Sequence, residues 1–218
     1  MILPSGKIGN LLVFKELETF HDLRWVFAIA WRFTDLGGEA WTHRMSEFKN
    51  GSPSAIRGAI RVVSLALKGI DWRGRKIGLT AAISSKRRSL RPDCPLALLG
   101  EGVAAQTGLP WLPKILKKKV RRYLHGFGNA ERRPEEVNGK YRCLAVDGLT
   151  TLIVLDDFVT RGDTMSDIAR AIRASNDQIQ VFGLALGKSE TWGYANLRGH
   201  SLNNHDIPDA WGRVWDSA

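Results

Sequence analysis

The spacing of apolar residues predicts helices in the first third of the chain. Apolar residues recur at intervals of three and four within residues 17–33 and again within residues 54–68. This period matches one face of an α-helix. We therefore predict that the N-terminal third is mostly helical.

The rest of the chain alternates between two patterns. Residues 76–84 and 152–155 are short apolar runs typical of buried strands, and residues 178–186 form a longer β-prone run. Helical patterns over residues 92–108 and 164–174 lie between them. Alternating strands and helices favour an α/β domain with a mostly parallel sheet that is flanked by helices.

The composition is typical of one globular domain. The 218 residues are 44% hydrophobic and 25% charged, and no repeat or linker divides them. We expect a helical hood, residues 1–75, that belongs to the same domain as an α/β core, residues 76–218. No apolar run approaches the roughly 20 residues that span a membrane, and the start of the chain lacks a signal-peptide pattern. We therefore expect a cytoplasmic protein without a membrane partner.

The charge of the chain favours an anionic partner. Lys and Arg number 32 against 22 Asp and Glu, which gives a formal net charge of +10. Nucleic acid and phosphorylated metabolites both fit this charge, which does not choose between them. Cys94 and Cys143 form no CxxC pair, so neither a zinc ribbon nor a disulfide framework is predicted.

Residues 152–165 carry the clearest chemical signal. Four apolar residues end at Asp156 and Asp157, and a short loop with Gly162 then leads into the helix predicted from Thr164. Ligands bind at the carboxyl ends of strands in open α/β sheets. Backbone N–H groups at a helix N-terminus suit a phosphomonoester, and paired carboxylates can accept hydrogen bonds from a sugar diol. The alternative is an Asp-rich turn that only caps a helix.

The order of these residues, LIVLDDFVTRGDT, resembles the signature of type I phosphoribosyltransferases, which bind 5-phosphoribosyl-1-diphosphate (PRPP). The flanking segments resemble the ComF-like branch of that family, the relatives associated with competence. Members of this branch often begin with a zinc ribbon, which this chain lacks, since no cysteine precedes Cys94. The resemblance covers residues 76–188 and is strong over residues 152–165.

This resemblance implies a type I phosphoribosyltransferase fold and a role for each part of the motif. Asp156 and Asp157 would be the catalytic carboxylates, would hold the ribose hydroxyls and would contact Mg²⁺, chiefly through the ribose. The 5-phosphate would bind the loop after them, and the diphosphate a basic loop after the first core strand. The residues implied for these two loops are Thr160, Arg161, Gly162, Asp163 and Thr164, and Ser84, Ser85, Lys86 and Arg87.

The activity that the resemblance implies is transfer of phosphoribose to an acceptor, with release of diphosphate. Three residues depart from the family pattern. Arg161 and Asp163 replace small residues, and Thr160 stands where purine-salvage members carry an acid. Two alternatives without catalysis remain, a PRPP or nucleotide sensor and a nucleic-acid-binding protein of DNA uptake or repair. A homodimer is also left open.

The basic run at residues 117–122, within the basic stretch 114–122, has three interpretations. It is a solvated helix face, a cationic arm that closes over the diphosphate with hinges at Gly126 and Gly128, or a nucleic-acid patch. The aromatic residues available for base stacking are Trp72, Trp111 and Tyr123. Because the resemblance places the basic residues at the mouth of the PRPP site, we expect nucleic-acid binding to be weak and to compete with PRPP.

Overall fold

A computed structural model describes residues 6–8, 11–15, 17, 22–35, 40–119, 139–191 and 209–217 of the chain. These ranges contain eight strands and five helices. The strands are β1 Gly6–Ile8, β2 Leu11–Phe14, β3 Leu23–Phe33, β4 Ile77–Ala81, β5 Leu116–Lys118, β6 Tyr141–Cys143, β7 Thr151–Val159 and β8 Gln180–Glu190. The helices are α1 Ala40–Lys49, α2 Pro53–Lys68, α3 Pro95–Thr107, α4 Asp163–Ser175 and α5 Asp209–Asp216.

Six strands form one mixed sheet in the order β1-β2-β3-β8-β7-β4. The four strands from β3 to β4 in this order are parallel, and β2 and β1 continue the sheet as antiparallel strands. Side chains of α1, α2, α3 and α5 share one hydrophobic core with the sheet, while those of α4 belong to a second core. The predicted α/β architecture, a mostly parallel sheet flanked by helices, is confirmed.

The helix predicted over residues 17–33 is wrong. Leu23–Phe33 is a strand that lies between β2 and β8, and its residues 26–31 are all buried. An apolar run of this kind fits a strand covered on both faces as well as it fits a buried helix. The residues before position 75 therefore include three strands of the main sheet as well as α1 and α2, so the predicted hood is not purely helical.

The other predicted elements are confirmed with small shifts at their ends. The pattern over residues 54–68 corresponds to α2, and that over residues 92–108 contains α3. This helix ends at Gly108, which has a left-handed backbone with φ of 73°. Among the described helices, none is both long and apolar enough to cross a membrane.

Helix α5 is placed by a close contact with α2. A Cβ atom at Gly58 would lie only 2.6 Å from Cδ1 of Trp215. The Trp215 indole also packs edge-to-face on Trp41, with 5.7 Å between the ring centroids. Gly58 thus provides the space that lets the indole approach the backbone of α2.

We expect Gly58→Ala to destabilise the protein, although alanine is the better helix former by about 1 kcal/mol. The added methyl group would displace Trp215, and overpacking of this kind typically costs about 1–3 kcal/mol. Urea unfolding measures the change. In a Trp215→Leu background the same substitution should be neutral or stabilising. An equal loss of stability in both backgrounds would rule out this contact as the cause.

Candidate functional site

The residues singled out from the sequence lie at the carboxyl ends of two adjacent parallel strands. In the pairing of β4 with β7, Ala81 lies opposite Leu155. Asp156 and Asp157 follow Leu155 directly, and the basic loop that begins at Ser84 follows β4. Because the strands are parallel, both segments leave the sheet at the same edge. The topology brings together residues that are about 70 positions apart in the sequence.

A cavity of about 490 Å³ lies between these segments. We call it the carboxyl-end cavity. The predicted site residues that line it are Ser84, Ser85, Asp156, Asp157 and Thr164. Further polar or aromatic lining comes from α1, β5 and β7, through Phe48, Lys49, Lys118 and Phe158. The cavity therefore combines carboxylates, hydroxyls and two lysines.

The two carboxylates are held by the backbone that follows them. Oδ1 of Asp156 accepts a hydrogen bond from the N–H of Asp157 at 2.9 Å, and Oδ1 of Asp157 accepts one from the N–H of Phe158 at 2.8 Å. Burial, followed by the neighbouring Asp157 carboxylate, raises the pKa of Asp156 well above its usual value. Lys49 Nζ lies 3.8 Å from Oδ2 of Asp157. Hydroxyl donors or a cation would stabilise such a pair.

The loop after the carboxylates leads directly into α4. Gly162 occupies the N-cap position with φ of 91°, and no side chain caps the helix. Asp163 and Thr164 are the first two residues of α4, so neither occupies the N-cap position itself. Thr160 is exposed beside the loop. The first N–H groups of a helix, together with its dipole, favour an anion at this position.

The two unusual residues of this loop are paired with each other. Arg161 Nε lies 3.7 Å from Oδ2 of Asp163. The Arg161 side chain is about half exposed, so this pair is screened by water and contributes little to stability. Its effect is local, because the Arg161 guanidinium offsets the carboxylate that Asp163 places near the helix N-terminus.

The basic loop after β4 is exposed throughout the predicted stretch of Ser84, Ser85, Lys86 and Arg87. It begins with a turn, in which the N–H of Arg87 donates to the carbonyl oxygen of Ser84 at 3.0 Å. Arg87 lines a smaller neighbouring cavity of about 330 Å³, which shares Ser84 with the carboxyl-end cavity. Lys86 lines neither of these two cavities.

Tyr141, which had no predicted role in the site, fixes the start of the basic loop. Its hydroxyl donates to the carbonyl oxygen of Ile83 at 2.8 Å and accepts from the Ile83 N–H at 3.1 Å. Lys118 Nζ donates to the same carbonyl at 2.9 Å and lies 4.9 Å from the centroid of the Tyr141 ring. Burial lowers the pKa of Lys118. These contacts attach β5 and β6 to the mouth of the cavity.

A buried carboxylate on α4 in turn holds Tyr141. Asp167 is 3% exposed and accepts hydrogen bonds from the N–H groups of Gly139, Lys140 and Tyr141 at 2.7 to 2.9 Å. Arg170 Nε donates to the same carboxylate at 2.8 Å. The only sequence signal for Asp167 is its position on the apolar face of α4. The carboxylate links that helix to β6, and through β6 to the basic loop.

The structure tests one of the three interpretations of the basic run, the solvated helix face. Residues 116–118 form strand β5, so the interpretation as a helix face is wrong there. Residues 120–122 of the basic run lie outside the described residues, as do Tyr123, Gly126 and Gly128. Trp111 packs tightly on α3, since a Cβ at Gly100 would lie 2.2 Å from its ring. Its indole is therefore poorly placed to stack on a base.

No family model matches the chain, and no curated protein matches it. Among similar solved structures is adenine phosphoribosyltransferase from Leishmania tarentolae, with a TM-score of 0.40 and 13% identity over 72% of this chain and 68% of that chain. Xanthine-guanine-hypoxanthine phosphoribosyltransferase from Helicobacter pylori has a TM-score of 0.36 and 10% identity, over 66% of this chain and 94% of that chain. Hypoxanthine phosphoribosyltransferase from Staphylococcus aureus has a TM-score of 0.36 and 11% identity, over 62% of this chain and 73% of that chain.

We expect Asp167→Asn to lower the free energy of unfolding by about 2 kcal/mol, because a buried charged acceptor loses its charge and one of its oxygens. Urea unfolding measures the loss. The matched control is Asp177→Asn, since Asp177 is exposed and its carboxylate accepts a hydrogen bond from the side chain of the neighbouring Gln178. If the two variants were equally stable, Asp167 would not hold β6 as described.

Proposed function

We propose that the protein binds PRPP and transfers its phosphoribosyl group to an acceptor, with release of diphosphate. The observation that carries this proposal is the arrangement of three features around the carboxyl-end cavity of about 490 Å³. These features are the carboxylate pair, the glycine-led N-terminus of α4 and the basic loop after β4. Their chemistry suits the ribose, the 5-phosphate and the diphosphate of PRPP. We also propose that the protein is related to the ComF-like branch, and this part of the proposal rests on the sequence resemblance alone.

The 5-phosphate would bind at the N-terminus of α4. The left-handed backbone of Gly162, with φ of 91°, turns the chain so that successive N–H groups lead into the helix. Thr160 and Thr164 add hydroxyl donors on either side of it. Arg161 offsets the charge of Asp163, so the third carboxylate of the motif is compatible with a phosphate in the loop.

The ribose would lie over Asp156 and Asp157. Their carboxylates can accept hydrogen bonds from both ribose hydroxyls and can stabilise positive charge that develops at C1 as diphosphate leaves. The chain thereby contributes mainly positioning and charge placement. Lys49, whose Nζ lies 3.8 Å from Oδ2 of Asp157, lines the same cavity.

The diphosphate would contact Ser84 and Ser85 of the basic loop and Lys118 in the carboxyl-end cavity, and Arg87 in the neighbouring cavity. Lys86 lines neither cavity, so its contact with diphosphate stays a prediction from the sequence. Asp156 and Asp157 offer oxygen ligands of the kind that Mg²⁺ prefers, and its other ligands would come from the substrate and water, because the described residues contain no cluster of three or more possible metal-binding side chains. When bound, Mg²⁺ would offset charge on the departing diphosphate. The role of Tyr141 in this arrangement is to hold the backbone from which the basic loop starts.

We expect Gly162→Val to abolish PRPP binding in titration calorimetry with Mg²⁺. A β-branched residue strongly disfavours the left-handed backbone, so the loop must rearrange. The matched control is Gly108→Val, which introduces the same strain at φ of 73° at the far end of α3. This control should lose stability and still bind PRPP. Equal PRPP affinity in wild type and Gly162→Val would contradict the proposal.

The second test of this proposal replaces both Asp156 and Asp157 with asparagine. We expect the double variant to bind PRPP at least tenfold more weakly, since hydrogen bonds to charged groups contribute about 1.5–3 kcal/mol each. Its affinity for inorganic phosphate should not fall, because the N-terminus of α4 is unchanged. The double variant Asp147→Asn, Asp177→Asn removes the same charge at exposed positions and is the control. A parallel loss of phosphate and PRPP affinity would show that the two acids are structural.

A further inference from the structure

A second cavity, of about 550 Å³, lies at the opposite end of the sheet. Its lining comes from the starts of β3 and β8, from the segment that precedes β4 and from Ile8 of β1. The amino ends of these parallel strands meet there, whereas the carboxyl-end cavity lies at the other edge. We call it the amino-end cavity. Nothing in the proposed phosphoribosyl transfer uses it.

Four aromatic rings form the apolar wall of the amino-end cavity. Phe27 and Phe182 are buried and stack with 6.0 Å between their centroids. Trp25 and Trp72 are half-buried and meet Phe182 edge-to-face, at 6.1 and 5.7 Å. The indole N–H of Trp72 donates to the carbonyl oxygen of Leu67 at 3.1 Å. The two indoles are thus held in place while part of each still lines the cavity.

The polar part of the amino-end cavity is strongly basic. Arg24 is exposed and makes no hydrogen bond or ion pair with any residue that the structure describes. Arg73 is paired with Asp71 at 3.6 Å, but both side chains are at least 80% exposed, so the pair is weak. Arg75 donates to Gln180 and lies 5.9 Å from the Phe182 centroid. Three guanidinium groups therefore face one carboxylate in the lining.

We propose that the amino-end cavity binds a nucleotide unit, with its base against the half-buried indoles and its phosphate against Arg24 and Arg73. Fixed indoles offer a stacking surface to any base. Arginine side chains form bidentate hydrogen bonds with phosphate, and the exposed guanidinium of Arg24 is available for such bonds. A purely apolar ligand would leave Arg24 and Arg75 without a carboxylate partner in the described lining, since Asp71 pairs with Arg73. A free mononucleotide and a single-stranded nucleic acid both present a base and a phosphate, so either could be the source of the bound unit.

This inference does not depend on the proposed function, since the two cavities lie at opposite ends of the sheet. It differs from the sequence-based expectation that nucleic acid would compete with PRPP. Of the aromatic residues that the sequence offered for stacking, Trp72 lines the amino-end cavity and Trp111 packs on α3. The prediction is that a nucleotide and PRPP bind without mutual displacement.

The test uses the full chain and two probes, a fluorescein-labelled oligothymidylate followed by anisotropy and thymidine monophosphate followed by calorimetry. Arg24→Glu is compared with Arg57→Glu, which makes the same charge change at an exposed position on α2. We expect Arg24→Glu to weaken binding at least tenfold more than Arg57→Glu does. Trp72→Leu should weaken it about tenfold through loss of stacking. Saturating PRPP with Mg²⁺ should leave the affinity unchanged.

The two probes also separate the sources of the nucleotide. Affinity that rises with oligonucleotide length, at least tenfold above the monophosphate, identifies single-stranded nucleic acid. Equal affinity for both probes identifies a free nucleotide. The proposal is overturned if neither probe binds, if Arg24→Glu and Arg57→Glu lose affinity equally, or if PRPP displaces the probe. If PRPP itself fails to bind, only the phosphoribosyl proposal falls, because the arginine comparison is made without PRPP.

Discussion

Strand β7 is buried between two parallel neighbours, and this pairing positions the rest of the molecule. Its residues 151–155 have almost no exposed surface, so their backbone groups must find partners in β4 and β8. Parallel pairing places the carboxyl ends of all three strands at one edge. The carboxylates at the end of β7 and the basic loop after β4 are therefore neighbours. Crossover α4 must then begin at that same edge, which brings its N-terminus to the site.

A set of buried polar contacts fixes the position of β6 and of the start of the basic loop. Asp167 on α4 binds the backbone of β6, Tyr141 on β6 binds the backbone of Ile83, and the basic loop starts there. A buried carboxylate is stable only when its hydrogen bonds are satisfied, so few other positions of β6 are compatible with it. The start of the basic loop is thus held by Tyr141 and Asp167, neither of which is among the lining residues of the carboxyl-end cavity.

The two ends of the sheet differ in chemistry. The carboxyl end combines two acids, a helix N-terminus and lysines, which suits a phosphorylated sugar and a divalent cation. The amino end combines fixed indoles with arginines, which suits a base and its phosphate. A net charge of +10 is compatible with both, and the structure assigns part of that charge to each end. In the two proposals, one chain would bind anionic ligands at two separate cavities, and the ligands need not exclude each other.

The sequence by itself determined those elements that are encoded by residues close together in the chain. Residues 152–165 contain the strand, the acids, the glycine and the helix start in order, so their arrangement was predictable from spacing. The strand Leu23–Phe33 was mistaken for a helix, because its burial on both faces removes the alternation that marks a half-buried strand. Only the tertiary structure joined Tyr141 to Ile83, and both Trp25 and Trp72 to Phe182. Such contacts join distant parts of the chain, and their partners are set by how the elements pack, not by sequence spacing.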